Sequence, residues 1–168
     1  MTQDMANSFN HAFNAEVFKR PEFVLSKNSK VPGTDGQKMS KSYGNTIPLF
    51  VGKKALKKTV MSIATDSTPL EDPKDPENCN VVELFKLFAS NDEVLDLKAK
   101  YKAGNYGYGH AKLELLTKIQ EFFAPFEDKR TYWVSHPDEV WDALHLGAKK
   151  AREVAAATLD RARAACGL

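Results

Sequence analysis

The sequence predicts a mainly α-helical protein. Apolar residues recur at helical spacing over most of the 168 residues, and prolines and glycines separate these stretches. One segment between residues 31 and 45 departs from this pattern and is rich in glycine, lysine and serine. With 42% hydrophobic and 27% charged residues, the composition is ordinary for a globular protein of one domain or two small ones.

The bulk properties of the chain exclude some functions but select none. The formal net charge is only +2, so a nucleic-acid role must come from local patches of charge. No apolar run reaches the ~18 residues that a transmembrane helix needs, and no signal peptide opens the chain. Cys79 and Cys166 fit no metal-binding spacing, so we expect free thiols, a cytoplasmic protein and no membrane partner.

The first helix is predicted over residues 2–18, and Pro21 ends it. Its apolar stripe repeats every four residues: Met5, Phe9, Phe13 and Val17. A short strand is predicted over residues 22–26, and Val31 is expected in a second one. The residues of the first helix are expected to form core structure rather than to take part in chemistry.

Residues 31–45 form the segment that points most directly to a function. Glycines allow positive φ angles and a close approach of the backbone to a ligand. Lysine ammonium groups, serine hydroxyls and backbone N–H groups are the donors that a polyphosphate needs. Judged by composition alone, a solvated basic turn is the plainer alternative.

A second helix is predicted over residues 52–64. Its apolar face comprises Ala55, Leu56, Val60 and Ile63. Four lysines cover the rest of it: Lys53, Lys54, Lys57 and Lys58. Such a run either contacts nucleic-acid phosphates or, more commonly, forms a solvated helix face.

The remainder of the chain is predicted to be helical after a proline-containing loop over residues 66–80. Asn80 and Glu83 form an Asn-x-x-Glu capping pattern for a helix that ends near Ser90. Further helices are predicted over about 92–102, from the Gly/Tyr-rich turn 104–109 onward with a kink at Pro125, and from Pro137 to Gly167.

The string Lys38-Met39-Ser40-Lys41-Ser42 changes the interpretation of the basic segment. It matches the KMSKS signature of class I aminoacyl-tRNA synthetases, and its chance occurrence in a chain of this length is of order ~10⁻⁴. The flanking segments 33–36, 43–50, 64–67, 71–76, 107–112 and 147–152 resemble tryptophanyl-tRNA synthetases of the bacterial type. The resemblance covers essentially the whole chain but corresponds only to the C-terminal half of such an enzyme.

This resemblance implies two parts. Residues 1–65 would be the C-terminal remnant of a Rossmann-type α/β catalytic domain, and residues 66–168 an α-helical bundle of the anticodon-binding type. Candidate tRNA contacts are Lys112, Lys149, Lys150 and Arg152, with Arg161 and Arg163 beside them. The tyrosines of the turn 104–109 either stack on bases or, as we favour, pack in the turn and core.

The resemblance also implies a chemistry. The family activates tryptophan with ATP and transfers it to tRNA(Trp), and cations that bind the leaving pyrophosphate more tightly in the transition state lower the barrier. Lys38 and Lys41 are the expected catalytic residues. The expected ATP-binding residues are Val31, Lys38, Met39, Ser40, Lys41 and Ser42. Mg²⁺ would arrive with ATP, so no protein metal site is expected, and the family implies a homodimer.

Part of the family's machinery has no counterpart in this sequence. Class I enzymes carry a His-x-Gly-His signature before the KMSKS loop; residues 145–148, His-Leu-Gly-Ala, lack the second histidine and follow the loop. By the resemblance, the tryptophan pocket and half of the ATP site would precede Met1. We therefore expect the chain to need an N-terminal catalytic half and to be inactive alone. The alternative is a non-catalytic tRNA- or RNA-binding helical module.

Overall fold

The computed structural model describes residues 1–25 and 30–168. The chain is mainly helical, with 61% helix and no strand in the described ranges, which confirms the predicted fold class. The helices are α1 (Thr2–Ala12), α2 (Lys53–Met61), α3 (Asn80–Phe85), α4 (Asn91–Ala103), α5 (Tyr108–Ser135) and α6 (Pro137–Cys166), with a short 3₁₀ helix at Lys41–Tyr43. None of these helices is long and apolar enough to cross a membrane.

The chain folds as two compact units. One consists of Met1–Leu25 and Arg130–Leu168, and the other of Ser26–Lys129. The predicted division between residues 65 and 66, into a catalytic remnant and a tRNA-binding part, remains a prediction. The boundaries of the two compact units lie elsewhere in the chain. Val60 and Ile63 lie before the predicted boundary and share one apolar core with residues after it, such as Leu84.

The core of the unit Ser26–Lys129 is built from one face of each of the helices α2 to α5. Its fully buried side chains include Val60, Ile63, Val81, Val82, Leu84, Leu97, Tyr101 and Leu115. Removal of this apolar surface from water is the main stabilising contribution. Ala55 was predicted to belong to the α2 face, but it is exposed because it lies on the same side as the lysines.

The predicted capping pattern at the start of α3 is wrong. Asn80 already lies within the helix, so Cys79 occupies the N-cap position. Cys79 supplies no side-chain hydrogen bond there. The Asn80 side chain instead donates to the Ala64 carbonyl over 3.1 Å, and Glu83 pairs with Lys86. Helix α3 ends at Phe85, before the predicted end near residue 90.

A capping box does form at α4, where the sequence analysis did not place one. The Glu93 N–H donates to Ser90 Oγ, and the Ser90 N–H donates to Glu93 Oε2 over 2.8 Å. The Lys118 ammonium lies 2.6 Å from the other Glu93 oxygen. The hydrogen bond from Lys118, followed by those from Ser90, lowers the pKa of Glu93 to about 2.

The loop between α2 and α3 is irregular, as predicted, and is organised by a buried lysine. Lys74 is 3% exposed. Its ammonium group donates to the carbonyls of Pro69, Leu70 and Asp72 at 2.7, 3.2 and 3.0 Å. One buried ammonium group thereby holds three carbonyl groups of the loop together.

In the other unit, α1 is shorter than predicted. It ends at Ala12 rather than near residue 18, because the Asn10 side chain accepts hydrogen bonds from the N–H groups of Val17 and Phe18 and holds a turn there. Residues 21–25 form no strand, which corrects that prediction, and Ser26 lies outside the described residues. Helix α5 continues through Pro125, and α6 runs from Pro137 to its left-handed end at Gly167, as predicted.

We predict that Lys74→Met lowers the free energy of unfolding by about 2 kcal/mol, because it removes the three hydrogen bonds that a charged group donates to the loop backbone. Urea denaturation followed by circular dichroism measures this change. Lys54→Met, at an exposed position on α2, is the matched control and should change stability little. Equal stability of the two variants would contradict the role given to Lys74.

Candidate functional site

The segment 31–45, called here the basic loop, folds back on itself. The Gly33 N–H donates to the Gln37 carbonyl over 2.7 Å, and the Met39 N–H donates to the Val31 carbonyl over 2.9 Å. Val31 was predicted to lie in a strand, but no strand forms there. Within the described residues the loop contains one isolated antiparallel bridge, between Pro32 and Lys38. The loop is therefore a tight two-sided turn with its own backbone hydrogen bonds.

The tip of this turn is stabilised by Asp35. Its carboxylate accepts hydrogen bonds from the Asn45 side chain over 2.7 Å and from the Gln37 N–H over 2.9 Å. The bond from Asn45 contributes most to lowering the pKa of Asp35 below its usual value. Gly36 follows with a φ of 82°, a left-handed conformation that favours glycine.

Asn45 connects the two sides of the loop. It is only 3% exposed. Its Oδ1 accepts from the Ser40 N–H at 2.8 Å, and its Nδ2 donates to Asp35 Oδ1 at 2.7 Å and to the Lys38 carbonyl at 3.2 Å. Its own carbonyl accepts from the Thr34 N–H at 2.9 Å. One buried residue thus contacts both sides of the turn and the backbone on either side of Met39.

Gly33 leaves the space that Asn45 occupies. A Cβ atom at Gly33 would lie 2.4 Å from the Asn45 side chain. Gly33 does not have a positive φ, so the constraint on this residue is space rather than backbone conformation.

The two signature lysines are placed on the surface of the loop. Lys38 and Lys41 are both exposed, and neither forms an ion pair with any residue that the structure describes. Ser40 begins the short 3₁₀ helix, and its hydroxyl bonds that of Ser42 over 2.7 Å. Met39 and Ser40 are half-buried. The loop therefore presents two cations, uncompensated by protein carboxylates, from an ordered backbone.

The basic loop is also attached to the helical core. The Ala64 N–H donates to the Thr34 carbonyl over 2.7 Å, and the Asn80 side chain donates to the Ala64 carbonyl. Gly36 lies so close to Asn80 that a Cβ atom there would be 2.6 Å from its side-chain nitrogen. The turn is thus fixed against the end of α2 and the start of α3.

The predicted tRNA contacts fall into two groups. Lys112 is 8% exposed and donates to the Met61 carbonyl at the end of α2, and burial lowers the pKa of its ammonium group. It packs inside the unit and presents no cation to a phosphate. The remaining candidates are exposed on α6, in the other compact unit: Lys149, Lys150, Arg152, Arg161 and Arg163.

The tyrosines of the turn 104–109 have partners within the protein. The Tyr106 hydroxyl donates to Glu114, and the Tyr108 hydroxyl donates to Asp66, each over 2.7 Å. Both rings also lie against the buried Tyr101. In the described part of the chain, no group of three or more histidine, cysteine or acidic side chains is placed to hold a metal ion.

Three residues that organise the site were not predicted from the sequence to do so: Asp35, Asn45 and Asn80. Asp35-Gly36 is a common turn dipeptide, so it carried a signal for the tip of the loop. Asn45 carried none on its own, because an asparagine next to a glycine predicts only a turn. Its burial and its contacts across the loop appear only in three dimensions.

We predict that Gly33→Ala displaces the Asn45 side chain, because the added methyl group has no space. The side-chain amide resonances of Asn45 in an NMR spectrum should then move toward those of an unfolded asparagine. Gly52→Ala is the matched control, since nothing lies within 4 Å of a Cβ atom there. Unchanged Asn45 resonances in Gly33→Ala would contradict the packing described here.

The chain as a whole matches a known family. The family described as tRNA synthetases class I (W and Y) matches residues 1–124. The chain is 50% identical to the tryptophan–tRNA ligase of Fusobacterium nucleatum over 100% of its own length and 52% of that protein. It is 52% identical to that of Rhodopirellula baltica over 99% of its length and 52% of the relative.

A solved structure agrees with these matches. The crystal structure of tryptophanyl-tRNA synthetase from Campylobacter jejuni, complexed with ADP and tryptophan, superposes with a TM-score of 0.76 at 40% identity. The match covers 99% of this chain and 52% of that one, so the chain spans about half the length of the relatives it matches. The fold, the family match and these identities together show that the chain belongs to the class I tRNA synthetases of the tryptophan and tyrosine type.

Proposed function

We propose that the chain is the C-terminal part of a tryptophan–tRNA ligase and that its basic loop binds the phosphates of ATP. The observation that carries this proposal is the ordered loop with two exposed lysines that form no ion pair with any described residue. A bound polyphosphate would supply the negatively charged partner that these two lysines do not have within the described protein. The relative with bound ADP and tryptophan supports the same assignment.

The proposed role of the lysines follows from the charge that develops in the reaction. A carboxylate oxygen of tryptophan forms a bond to the α-phosphorus, and the bond to the bridging oxygen of pyrophosphate breaks. Negative charge grows on the leaving pyrophosphate, and a cation held nearby stabilises it more in the transition state than in the ground state. Lys38 and Lys41 are proposed for this role, with Lys41 the stronger candidate.

The rest of the proposed nucleotide site is the surface around these lysines. Ser40 and Ser42 offer hydroxyl groups, and Val31 and Met39 are half-buried beside them. Mg²⁺ would neutralise part of the phosphate charge. Its ligands would be phosphate oxygens and water, which suits the reluctance of this ion to lose its hydration shell.

The second half-reaction brings in tRNA. The exposed cations of α6, Lys149, Lys150 and Arg152, are proposed contacts to the tRNA(Trp) backbone, because phosphate contacts dominate affinity for nucleic acids. Lys112 is left out of this proposal because it is buried. We place the reaction in the cytoplasm, in a homodimer of the complete enzyme.

The sequence lacks part of the machinery that the proposed reaction needs. A His-x-Gly-His signature is not found in the sequence, and the chain spans 52% of its curated relatives. A lysine loop without the opposing groups that hold ATP and tryptophan does not orient the reacting atoms. We therefore propose that activity requires the segment that corresponds to the other half of the relatives.

A non-catalytic RNA-binding module is the second candidate. The exposed lysines on α2, Lys53, Lys54, Lys57 and Lys58, favour it. Selective binding of one tRNA by the chain alone, at physiological salt, would support this module. Binding that salt abolishes for every tRNA tested would count against it.

We predict that the chain alone does not catalyse tryptophan-dependent exchange of pyrophosphate into ATP. Addition of the separately expressed N-terminal half of a relative should produce exchange. In that mixture, Lys41→Ala should lower the rate by about 100-fold, because a charge contact to the transition state is lost. Lys54→Ala, which removes a lysine from α2, is the matched control and should leave the rate unchanged.

Two results would contradict this account. Exchange by the chain alone would show that no partner segment is needed. A Lys41→Ala mixture as active as the wild-type mixture would show that Lys41 does not stabilise the transition state.

A further inference from the structure

We propose that Asn45 is a positioning residue for the two lysines of the basic loop. Its side chain fixes the backbone on both sides of Met39, so that Lys38 and Lys41 project from a preformed frame toward a bound polyphosphate. This inference rests on the proposed function, in which the loop binds the phosphates of ATP.

The hydrogen bonds of Asn45 place it at the centre of this frame. A primary amide has two N–H donors, and both are used, one for Asp35 and one for the Lys38 carbonyl. Its oxygen accepts from the Ser40 N–H at 2.8 Å. The two bonded backbone groups, at Lys38 and Ser40, belong to a signature lysine and to the residue directly before the other one.

The requirement for asparagine follows from these partners. Aspartate would keep the acceptor for Ser40 but would lose both donors and face the Asp35 carboxylate. Alanine would leave the half-buried Ser40 N–H without its acceptor. A longer glutamine would not fit, because the Asn45 side chain already fills the space above Gly33.

A preformed loop matters because lysine side chains on a mobile backbone lose entropy when they bind. A backbone that is ordered before the ligand arrives reduces the part of this cost that falls on binding. Loss of Asn45 should therefore weaken phosphate binding even though Asn45 itself carries no charge. Exchange of Asn45 and Asp35 should restore part of the binding, because an amide and a carboxylate would again face each other while the Lys38 carbonyl would still lack a donor.

The test measures binding of sodium tripolyphosphate to the full chain by isothermal titration calorimetry and by backbone NMR shifts of residues 38–42. Asn45→Asp should weaken binding by about tenfold or more, since the loop loses both donors and its order. The double variant Asp35→Asn/Asn45→Asp should bind about threefold more tightly than Asn45→Asp, because the hydrogen bond between the two side chains forms again while the Lys38 carbonyl stays without its donor. Asn78→Asp, outside the loop, adds the same charge and should change binding by less than about twofold.

The outcomes separate this inference from the function on which it rests. No binding of tripolyphosphate by the wild-type chain would overturn both the phosphate-binding function and the role of Asn45. Binding by the wild type that Asn45→Asp leaves unchanged would overturn the role of Asn45 alone. A double variant that stays as weak as Asn45→Asp, with residues 38–42 still folded by NMR, would also overturn it. Recovery in the double variant supports positioning over general unfolding, because unfolding would not reverse on this exchange. The exchange also restores the net charge, so the Asn78→Asp control is what separates positioning from added charge.

Discussion

The structure of the basic loop depends on the buried amide of Asn45. An asparagine side chain with 3% exposure is stable only if its donors and acceptor are paired, and the loop supplies all of these partners. The same bonds hold Lys38 and Ser40 in place, and the bond from Asn45 lowers the pKa of Asp35 at the tip. The backbone that carries the exposed lysines is held by hydrogen bonds, so the loop does not depend on ion pairs between these lysines and protein carboxylates. Stability resides in the buried polar network, and charge remains available at the surface.

This loop is attached to a helical core rather than to a sheet. The bonds that link Thr34, Ala64 and Asn80 join the turn to the end of α2 and the start of α3. Lys74 and Lys112 show how the same unit uses lysine differently, since both are buried and bond backbone carbonyls. Lysines of one sequence thus divide into those that stabilise the fold and those that can meet a ligand. Their environment, and not their residue type, decides between these roles.

The sequence predicted what depends on local patterns. Helical periodicity located α4, α5 and α6 closely, and Pro137 and Gly167 marked the ends of α6 because their backbone preferences act locally. The signature string placed Lys38 and Lys41 in an exposed loop. Features that depend on distant partners were not predicted: the early end of α1, the absence of a cap from Asn80, the capping box at Ser90, and the burial of Lys112. Asn45 belongs with these, since five to ten residues of chain separate it from the groups it bonds.

The central claim is that the basic loop is ordered before any ligand binds. Amide hydrogen exchange of the ligand-free chain, followed residue by residue by NMR, tests it directly. The account predicts slow exchange for the N–H groups of Gly33, Met39 and Ser40, because each donates to a partner within the loop. Exchange of all three at the rate of an unfolded peptide would show that the loop orders only around its ligand, and would contradict the account.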